Sequence, residues 1–262
     1  MMLFLFEHPL SPYAQKVKIA LREKNLSFQA VTPEALGSGA ASDAFLEANP
    51  RAEVPALIDG NARIFDSTII LEYIEDRWPE PPLLPADPYS RAGARMIEEV
   101  CDTHYEAINW GLGEIRWFGR AAGAAAERLR KAAAEQTGNL QAWLTERLDG
   151  RDWFGGVSFG WADVSVAPYV NTSSLLGLAP DATSPLGGWL TRVSERQSVK
   201  QTFAEGTAAI AGMDQFADAL ASRDFKREYR DHRLEWMIKS GGMDVVLDGL
   251  AKNNIRFSRE FN

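Results

Sequence analysis

A cluster of prolines divides this chain of 262 residues into two parts with different patterns. Five of the thirteen prolines lie in the segment WPEPPLLPADP, which runs from Trp78 to Pro88. Such a segment cannot be helical in its interior and is stiff when extended. We therefore predict a linker at residues 81–88, between a domain at residues 1–80 and a second domain at residues 89–262. The length of the chain suits one or two domains.

The part before the prolines alternates between strand and helix patterns. Leu3 to Phe6 is a short apolar run typical of a buried strand, and Pro12 to Glu23 has the spacing of a half-buried helix. The elements that follow are predicted as a strand at Ser27 to Thr32, a short helix at Ser42 to Ala48, a hairpin from Val54 to Phe65 with its turn at Gly60-Asn61, and a helix from Ser67. The order βαβαββα predicts a mixed α/β domain.

The part after the prolines is predicted to be all-helical. Apolar residues have helical spacing in four stretches: Tyr89 to about Gly119, Ala121 to about Leu148, Trp161 to Leu176, and Leu186 to Arg196. From Ser222 to Asn262 a mixed-charge segment precedes an amphipathic pattern. We expect this extension to pack as helix across the helical domain or over the cleft between the domains.

The composition argues against several classes of protein. Lys and Arg number 28 against 36 Asp and Glu, and a net charge of -8 would repel nucleic acid and anionic lipid. The run MMLFLF is too short to cross a bilayer, so we expect neither membrane insertion nor export. With one cysteine, Cys101, and three scattered histidines, we predict no metal site and interpret Cys101 as a small buried apolar residue. A reducing, cytoplasmic location is expected.

Three short segments carry the functional signal, and each has a purely structural alternative. Ser11, followed by Pro12, stands where a strand gives way to a helix; it is a helix cap or a donor to an anion at the positive end of the helix dipole. Val54-Pro55 opens a strand, either as an edge proline or across a cis bond that leaves the nearby backbone free. Asp66-Ser67 begins a helix, as a cap or as a site for a carboxylate and an amine.

The order and spacing of these segments resemble the glutathione S-transferase superfamily, specifically its serine-type, bacterial-like cytosolic members. The resemblance covers Leu3 to about Leu84, continues through the proline segment and returns at WFGGVSFGWADVSVAPYV. There the family has a buried helix opened by a Ser/Thr-x-x-Asp box; Asp163 holds the acidic position and Gly160 replaces the hydroxyl residue. The resemblance implies a thioredoxin-like N-terminal domain followed by an all-helical C-terminal domain.

The resemblance also implies a glutathione site in the first domain. Ser11 would donate a hydrogen bond to the glutathione thiolate, and Val54, before a cis Pro55, would pair antiparallel with the cysteinyl backbone. Ser67 and the helix start would take the γ-glutamyl carboxylate, with Asp66 facing the amine. Glutathione, as cosubstrate, would then be the nucleophile, because the hydrogen bond and the helix N-terminus favour its thiolate.

Two departures from the family pattern affect this expectation. Relatives that form mixed disulfides have a cysteine where this chain has Ser11, and a hydroxyl cannot exchange with a disulfide, so conjugation is favoured over reduction. Glu53 stands where many members have Lys or Gln, and its carboxylate would repel the glycine end of glutathione. Affinity for that end would then be low or depend on Arg51.

A second substrate site is expected on the helix that contains HYEAINWGLGEIRWF, from His104 to Phe118. In this family the helix faces the cleft between domains, where aromatic side chains would suit a hydrophobic electrophile. The alternative is that these aromatics are core or dimer-interface residues. The predicted substrate contacts are Tyr13, Tyr105, Trp110 and Trp117.

The predicted function is conjugation of the glutathione thiolate to a small hydrophobic electrophile, as in detoxification. Dehalogenation, lyase or ether-cleaving chemistry and peroxide reduction use the same thiolate and stay open. A further alternative is a glutathione-fold module that binds glutathione or a protein partner without turnover. The resemblance implies a homodimer, and no nucleic-acid or membrane partner is expected.

Overall fold

The computed structural model describes residues 2–34, 36, 41–213 and 226–258. Its first seven elements confirm the predicted βαβαββα order. They are β1 (Leu3–Phe6), α1 (Pro12–Glu23), β2 (Phe28–Val31), α2 (Asp43–Ala48), β3 (Ala56–Asp59), β4 (Ala62–Phe65) and α3 (Ser67–Arg77).

The four strands form one sheet in the order β2-β1-β3-β4. β1 runs parallel to β2 and antiparallel to β3, and β3 and β4 form the predicted hairpin. Because successive side chains of a strand point to opposite faces, β1 contributes to two apolar clusters. Leu3 and Leu5 pack with residues of α1 and α3, and Phe6 packs with Phe45 of α2 on the other face.

Helix α1 is more deeply buried than its sequence pattern predicts. Every residue from Ala14 to Leu21 is buried, including the polar residues Gln15, Lys16 and Lys18. The cause is that α1 packs against α3 on one side and, on the other, against two helices of the second part of the chain, Trp161–Leu175 and Gln197–Met213. The prediction of a half-buried helix was therefore wrong, and the two lysines need buried partners.

The helical part begins after the proline segment. Its elements are α4 (Pro88–Val100), a π-helical turn (Cys101–Tyr105), α5 (Glu106–Arg116), α6 (Gly123–Leu148), α7 (Trp161–Leu175), α8 (Pro185–Ser194) and α9 (Gln197–Met213). The stretch predicted as one helix from Tyr89 to Gly119 is thus interrupted by the π-helical turn. The sequence analysis did not identify α9. Cys101 lies in the main apolar core, as interpreted.

The start of α7 explains why glycine stands at position 160. A Cβ on Gly160 would lie 2.7 Å from the backbone oxygen of Leu83. Asp163 still supplies its half of the cap, since its Oδ2 accepts from the Gly160 N–H at 3.0 Å. Its Oδ1 accepts from the Phe154 N–H and the Trp189 indole N–H at 3.1 and 2.7 Å. The missing hydroxyl is therefore a consequence of close packing against the proline segment.

Residues 226–258, called here the C-terminal segment, fold against the helical core. Its elements are β5 (Arg227–Glu228), α10 (Asp231–Lys239), α11 (Met243–Ala251) and β6 (Ile255–Arg256). Trp236 and Met237 of α10 pack with Trp110 of α5 and Leu129 of α6. The predicted packing of the extension holds for this segment, while residues 222–225 and 259–262 lie outside the described residues. β5 and β6 form a two-residue parallel pair, the exception to helix in this part of the chain.

The helices and the clustered side chains of the described residues bear on the predictions about membranes and metals. In the parts that the structure describes, no helix has the length and apolar character needed to cross a membrane. Within the same residues, no group of His, Cys, Asp and Glu is arranged to hold a metal ion.

Candidate functional site

Three segments meet at one edge of the sheet. Phe6, the last residue of β1, pairs with Ala56, the first of β3, and Ala56 pairs with Phe65, the last of β4. The loop after β1, the residues before β3 and the residues after β4 therefore lie along the same edge. These segments carry the residues singled out from the sequence: Ser11, Val54-Pro55 and Asp66-Ser67.

Ser11 is the N-cap of α1, and capping leaves its proton free. Its Oγ accepts a hydrogen bond from the Ala14 N–H at 3.3 Å, and Pro12 occupies the first helical position. Within the described residues, no acceptor receives the Ser11 hydroxyl proton. A serine hydroxyl has one donor as well as acceptor capacity, so the cap and a donor to a bound anion are compatible roles.

The Val54–Pro55 peptide bond is cis. Val54 precedes β3 and is half-buried, and its backbone N–H and C=O have no hydrogen-bond partner among the described residues. Asn49 fixes the preceding loop, since its Nδ2 donates to the Glu53 backbone oxygen at 2.7 Å and its Oδ1 accepts from the Arg51 N–H at 3.0 Å. The arrangement leaves a backbone donor and acceptor available for an antiparallel partner.

Asp66 and Ser67 begin α3 with different roles. Asp66 has a φ of 73° and caps the helix, its Oδ1 accepting from the N–H groups of Thr68 and Ile69 at 3.0 and 3.3 Å. The Asp66 carboxylate therefore occupies these two amides, as the helix-cap alternative predicts. Ser67 is buried, and its own N–H and hydroxyl are the groups left at this helix start to bind a carboxylate.

A buried ion cluster, which the sequence analysis missed, fixes α3 against α1. The fully buried Nζ of Lys16 donates to Glu98 and Asp102, both at 2.5 Å, and to the Thr68 hydroxyl at 3.3 Å. Burial alone would lower the pKa of Lys16, but the two carboxylates reverse this and raise it. Since Thr68 follows Ser67, the cluster positions the start of α3. In the sequence this cluster is visible only as two acidic residues, Glu98 and Asp102, four positions apart. Nothing in the sequence indicates that Lys16 is their partner.

The Glu53 carboxylate is paired with two arginines. Arg230 Nη1 lies 2.8 and 3.0 Å from the two Glu53 carboxylate oxygens, and Arg51 Nη2 lies 3.0 Å from Oε2. Burial and the neighbouring Glu228 raise the pKa of Glu53 to about 7, against the opposing effect of the two arginines. Arg230, contributed by the C-terminal segment, was not identified from the sequence.

Two of the four predicted substrate contacts are covered by other parts of the protein. Tyr105 is fully buried between helices, where its hydroxyl accepts from Gln141 Nε2 at 3.2 Å. Trp110 is 8% exposed and lies under the C-terminal segment, its ring 4.7 Å from that of Tyr229. Trp117, at the end of α5, is half-buried. For Tyr105 the structure therefore shows the core position that was the alternative, and it shows Trp110 covered.

Tyr13, the fourth predicted contact, points toward the helical part of the chain. Its hydroxyl donates to the backbone oxygen of Asp102 at 2.7 Å and lies 3.3 Å from Nε2 of His232 in α10. The same nitrogen of His232 is 2.9 Å from a Glu106 carboxylate oxygen. Burial raises the pKa of Tyr13, so its phenol stays neutral. Tyr13 thus joins α1 to the C-terminal segment.

Comparison with known proteins defines the class to which this fold and site belong. Residues 5–82 match the model of the N-terminal domain of glutathione S-transferases. A tau-class glutathione S-transferase from mango (Mangifera indica) superposes with a TM-score of 0.68 at 26% identity, over 84% of this chain and 98% of that one. The fold is therefore a thioredoxin-like domain followed by a helical domain, the architecture of this family.

Two further similarities extend this result. The chain is 34% identical over 202 residues to glutathione S-transferase U28 of Arabidopsis thaliana, covering 74% of this chain and 85% of the relative. A glutathione S-transferase from Methylobacterium radiotolerans, solved in complex with glutathione sulfonate, has a TM-score of 0.64 at 28% identity, over 77% of this chain and 94% of that one. The chain belongs to the glutathione S-transferase family.

Proposed function

We propose that this protein is a serine-type glutathione transferase that conjugates the glutathione thiolate to a small hydrophobic electrophile. The observation that carries the proposal is the meeting, at one sheet edge, of three segments with free hydrogen-bonding groups. Among the residues that the structure describes, the Ser11 hydroxyl proton, the Val54 backbone and the Ser67 N–H have no hydrogen-bond partner. A relative solved with glutathione sulfonate supports glutathione as the cosubstrate.

The chemistry follows from the ionisation of the thiol. A cysteine thiol has a pKa of about 8.5, so little thiolate is present at neutral pH. The Ser11 hydroxyl would donate to the sulfur, and the N-terminus of α1 adds a favourable potential, so both lower the thiol pKa. The thiol proton passes to solvent. The sulfur lone pair then forms the S–C bond while the leaving group departs with its electron pair.

Ser11→Ala tests the assignment. A hydrogen bond to a charged group contributes about 1.5–3 kcal/mol, so the bound thiol pKa should rise by about one to two units. Turnover below that pKa should fall about 10- to 100-fold. The measurement is the ultraviolet absorbance of the thiolate of bound glutathione, titrated with pH, together with conjugation rates for an electrophilic probe such as 1-chloro-2,4-dinitrobenzene.

A matched control separates catalysis from helix capping. Ser42 caps α2 as Ser11 caps α1, its Oγ accepting from the Phe45 N–H at 3.4 Å. Ser42→Ala should therefore cost a similar amount of stability, about 1 kcal/mol, and leave the thiol pKa unchanged. If Ser11→Ala retains the wild-type thiol pKa and turnover, Ser11 is a cap alone. Glutathione binding without turnover in the wild type would favour the non-catalytic module instead.

We also propose a homodimer in which α3 and α4 form part of the interface. Three large apolar side chains are exposed on or beside these helices: Ile69 at 57%, Tyr89 at 87% and Met96 at 63%. Arg95 on α4 bonds Glu72 on α3 at 2.6 Å, so the two helices present one surface. Exposed apolar side chains grouped on one surface are typical of an interface, and two-fold dimers are the commonest oligomers.

A further inference from the structure

The glycine end of the proposed glutathione site lies beside Glu53, by the register of the pairing. Two antiparallel strands run in opposite directions, so a residue that follows the paired residue on one strand lies opposite the preceding residue on the other. If the cysteinyl residue of glutathione pairs with Val54, its glycine is opposite Glu53. A carboxylate at that position alone would repel the terminal carboxylate of the peptide, so the surroundings of Glu53 decide whether the site can bind it.

The C-terminal segment brings a guanidinium group to this position. Arg230 contacts both Glu53 oxygens through Nη1, and within the described residues its Nη2 has no hydrogen-bond acceptor. Arg51 approaches Glu53 from its own loop through Nη2. The two arginines retain 19% and 27% side-chain exposure, so each keeps donors that a ligand can reach. Arginine has five N–H donors in a fixed fork. Arg230 uses Nη1 on Glu53 and its Nε lies 3.7 Å from the exposed Asp231 carboxylate, which leaves the Nη2 donors for a ligand.

Arg230 is held in place by a rigid segment. The preceding residue, Tyr229, is fully buried; its hydroxyl donates to Glu114 at 3.0 Å and its backbone N–H donates to the Arg256 oxygen at 2.8 Å. The following helix, α10, begins directly after Arg230, whose carbonyl accepts from the Arg233 N–H at 3.0 Å. Packing on both sides thus fixes the backbone of Arg230, and a preorganised cation loses less freedom on binding an anion.

The local charge favours an anion despite the acidic residues. Arg51, Arg230 and Arg256 face Glu53 and Glu228, and Arg256 Nη2 lies 2.8 Å from Glu228 Oε2. The charge of this group of five is +1 when both carboxylates are ionised. It is more positive when Glu53 is protonated, and burial and Glu228 raise the pKa of Glu53 to about 7. The Asp231 carboxylate also lies 3.7 Å from Arg230 Nε, but it is 73% exposed, so solvent screens it. Glu53 therefore places the arginines without cancelling their charge.

We propose that Arg230, acting with Arg51, binds the terminal glycine carboxylate of glutathione, so that the C-terminal segment completes the peptide site of the first domain. The inference depends on the proposed function, because it names a residue of that site. It predicts selectivity for the carboxylate: glutathione should bind more tightly than glutathione amide, in which the glycine carboxylate is a neutral carboxamide of the same shape.

Calorimetric titration of the full chain with both peptides tests the inference. Charge-assisted hydrogen bonds to one carboxylate correspond to roughly a tenfold or larger preference for glutathione over the amide in the wild type. Arg230→Gln should reduce that preference to less than about threefold, mainly by weakening the binding of glutathione. Arg51→Gln, on the opposite side of Glu53, should reduce it in the same direction and serves as the second variant if Arg230→Gln does not fold.

Arg227→Gln is the matched control. Arg227 lies in the same segment, but its Nε pairs with Glu114 at 2.5 Å and does not contact Glu53. The control should keep the wild-type preference, because Arg230, Arg51 and the Tyr229 contacts that hold Arg230 are unchanged. Equal losses for both peptides in Arg230→Gln, or no preference in the wild type, would overturn the inference while leaving the transferase proposal intact. A wild type that binds neither peptide would overturn the proposed function, and this inference with it.

Discussion

The effect of Glu53 on an anionic ligand depends on partners that come from distant parts of the chain. Its position before Val54 predicts repulsion of an anionic peptide. In the folded protein its carboxylate lies between Arg51 and Arg230, with Glu228 also close enough to raise its pKa. Arg51 is predictable from the sequence as a compensating cation. Arg230 is not, because it lies 177 residues further along the chain.

The titration of Glu53 predicts a pH dependence of peptide binding. As the pH rises through about 7, Glu53 loses its proton and adds a negative charge where the glycine carboxylate would bind. Affinity should therefore fall by about fivefold, or about 1 kcal/mol, between roughly pH 6 and pH 8. The charged groups that face Glu53 are Arg51, Arg230 and Glu228.

S-methylglutathione is the ligand for this measurement, because it has no thiol to titrate. Calorimetry across the pH range should show the decline in the wild type and a nearly flat profile in Glu53→Gln. A decline of the same size in Glu53→Gln would assign the pH dependence to another group.

Asp163 is a second residue whose contribution to stability depends on several hydrogen-bond donors at once. Its buried carboxylate accepts from Phe154, Gly160 and Trp189, which join the start of α7 to the loop before it and to α8. Asp163→Asn places an amide N–H₂ against at least one of these donors and leaves buried groups unpaired. We expect a loss of about 3 kcal/mol in the free energy of unfolding.

Urea denaturation followed by tryptophan fluorescence measures this loss. Asp181→Asn is the control, since Asp181 caps an exposed turn with bonds to Thr183. It should change stability by less than about 1 kcal/mol. Equal small effects of the two substitutions would show that the Asp163 network contributes little.

At the scale of elements, features set by neighbouring residues were predictable from the sequence, whereas contacts between distant residues were not. The hairpin and the order of the first seven elements depend on residues a few positions apart, and both were predicted. The cap at Ser11 was one of the two alternatives given for that residue. The burial of Lys16 and Lys18 was not predicted, because their acidic partners are distant in sequence. These partners lie on α4, in the π-helical turn, directly after β1 and on α9. The same reason explains why the cover over Trp110 was missed: it comes from the C-terminal segment.

The close contact between α5 and α10 at Gly111 predicts how one added methyl group changes the stability. A Cβ on Gly111 would lie 2.0 Å from a carbon of the buried Trp236 ring, so the ring or the helix must move. Gly111→Ala should lower the free energy of unfolding by about 1–3 kcal/mol, as overpacking does in other cores. Gly138→Ala in α6 meets nothing within 4 Å and should instead stabilise the protein by up to about 1 kcal/mol.

Denaturant titration of the two glycine variants gives the comparison directly. Limited proteolysis adds a test of location: Gly111→Ala should expose the C-terminal segment to cleavage, whereas Gly138→Ala should not. If Gly111→Ala were as stable as Gly138→Ala, α10 would not be packed on α5 as the structure shows.

At the scale of the whole molecule, the C-terminal segment connects the two parts of the chain. It contacts α5 and α6 through apolar residues, the cis-proline loop through Arg230, and α1 through His232 and Tyr13. Movement of one domain relative to the other would break charged and apolar contacts together. The cis-proline loop of the first domain and the helical core are therefore coupled by the C-terminal segment.

The homodimer is the prediction that concerns the whole assembly. Two chains of 29.0 kDa should sediment together in the wild type. Met96→Asp, combined with Ile69→Asp, puts charges on the exposed surface of α3 and α4, and burying unpaired charges at an interface is strongly unfavourable. The double variant should therefore sediment as a folded monomer. Leu247→Asp, at a side chain 59% exposed on α11, is the matched control and should keep the mass of the dimer. A wild type that sediments as a monomer at micromolar concentration, or dissociation caused by Leu247→Asp alone, would place the interface elsewhere or remove it.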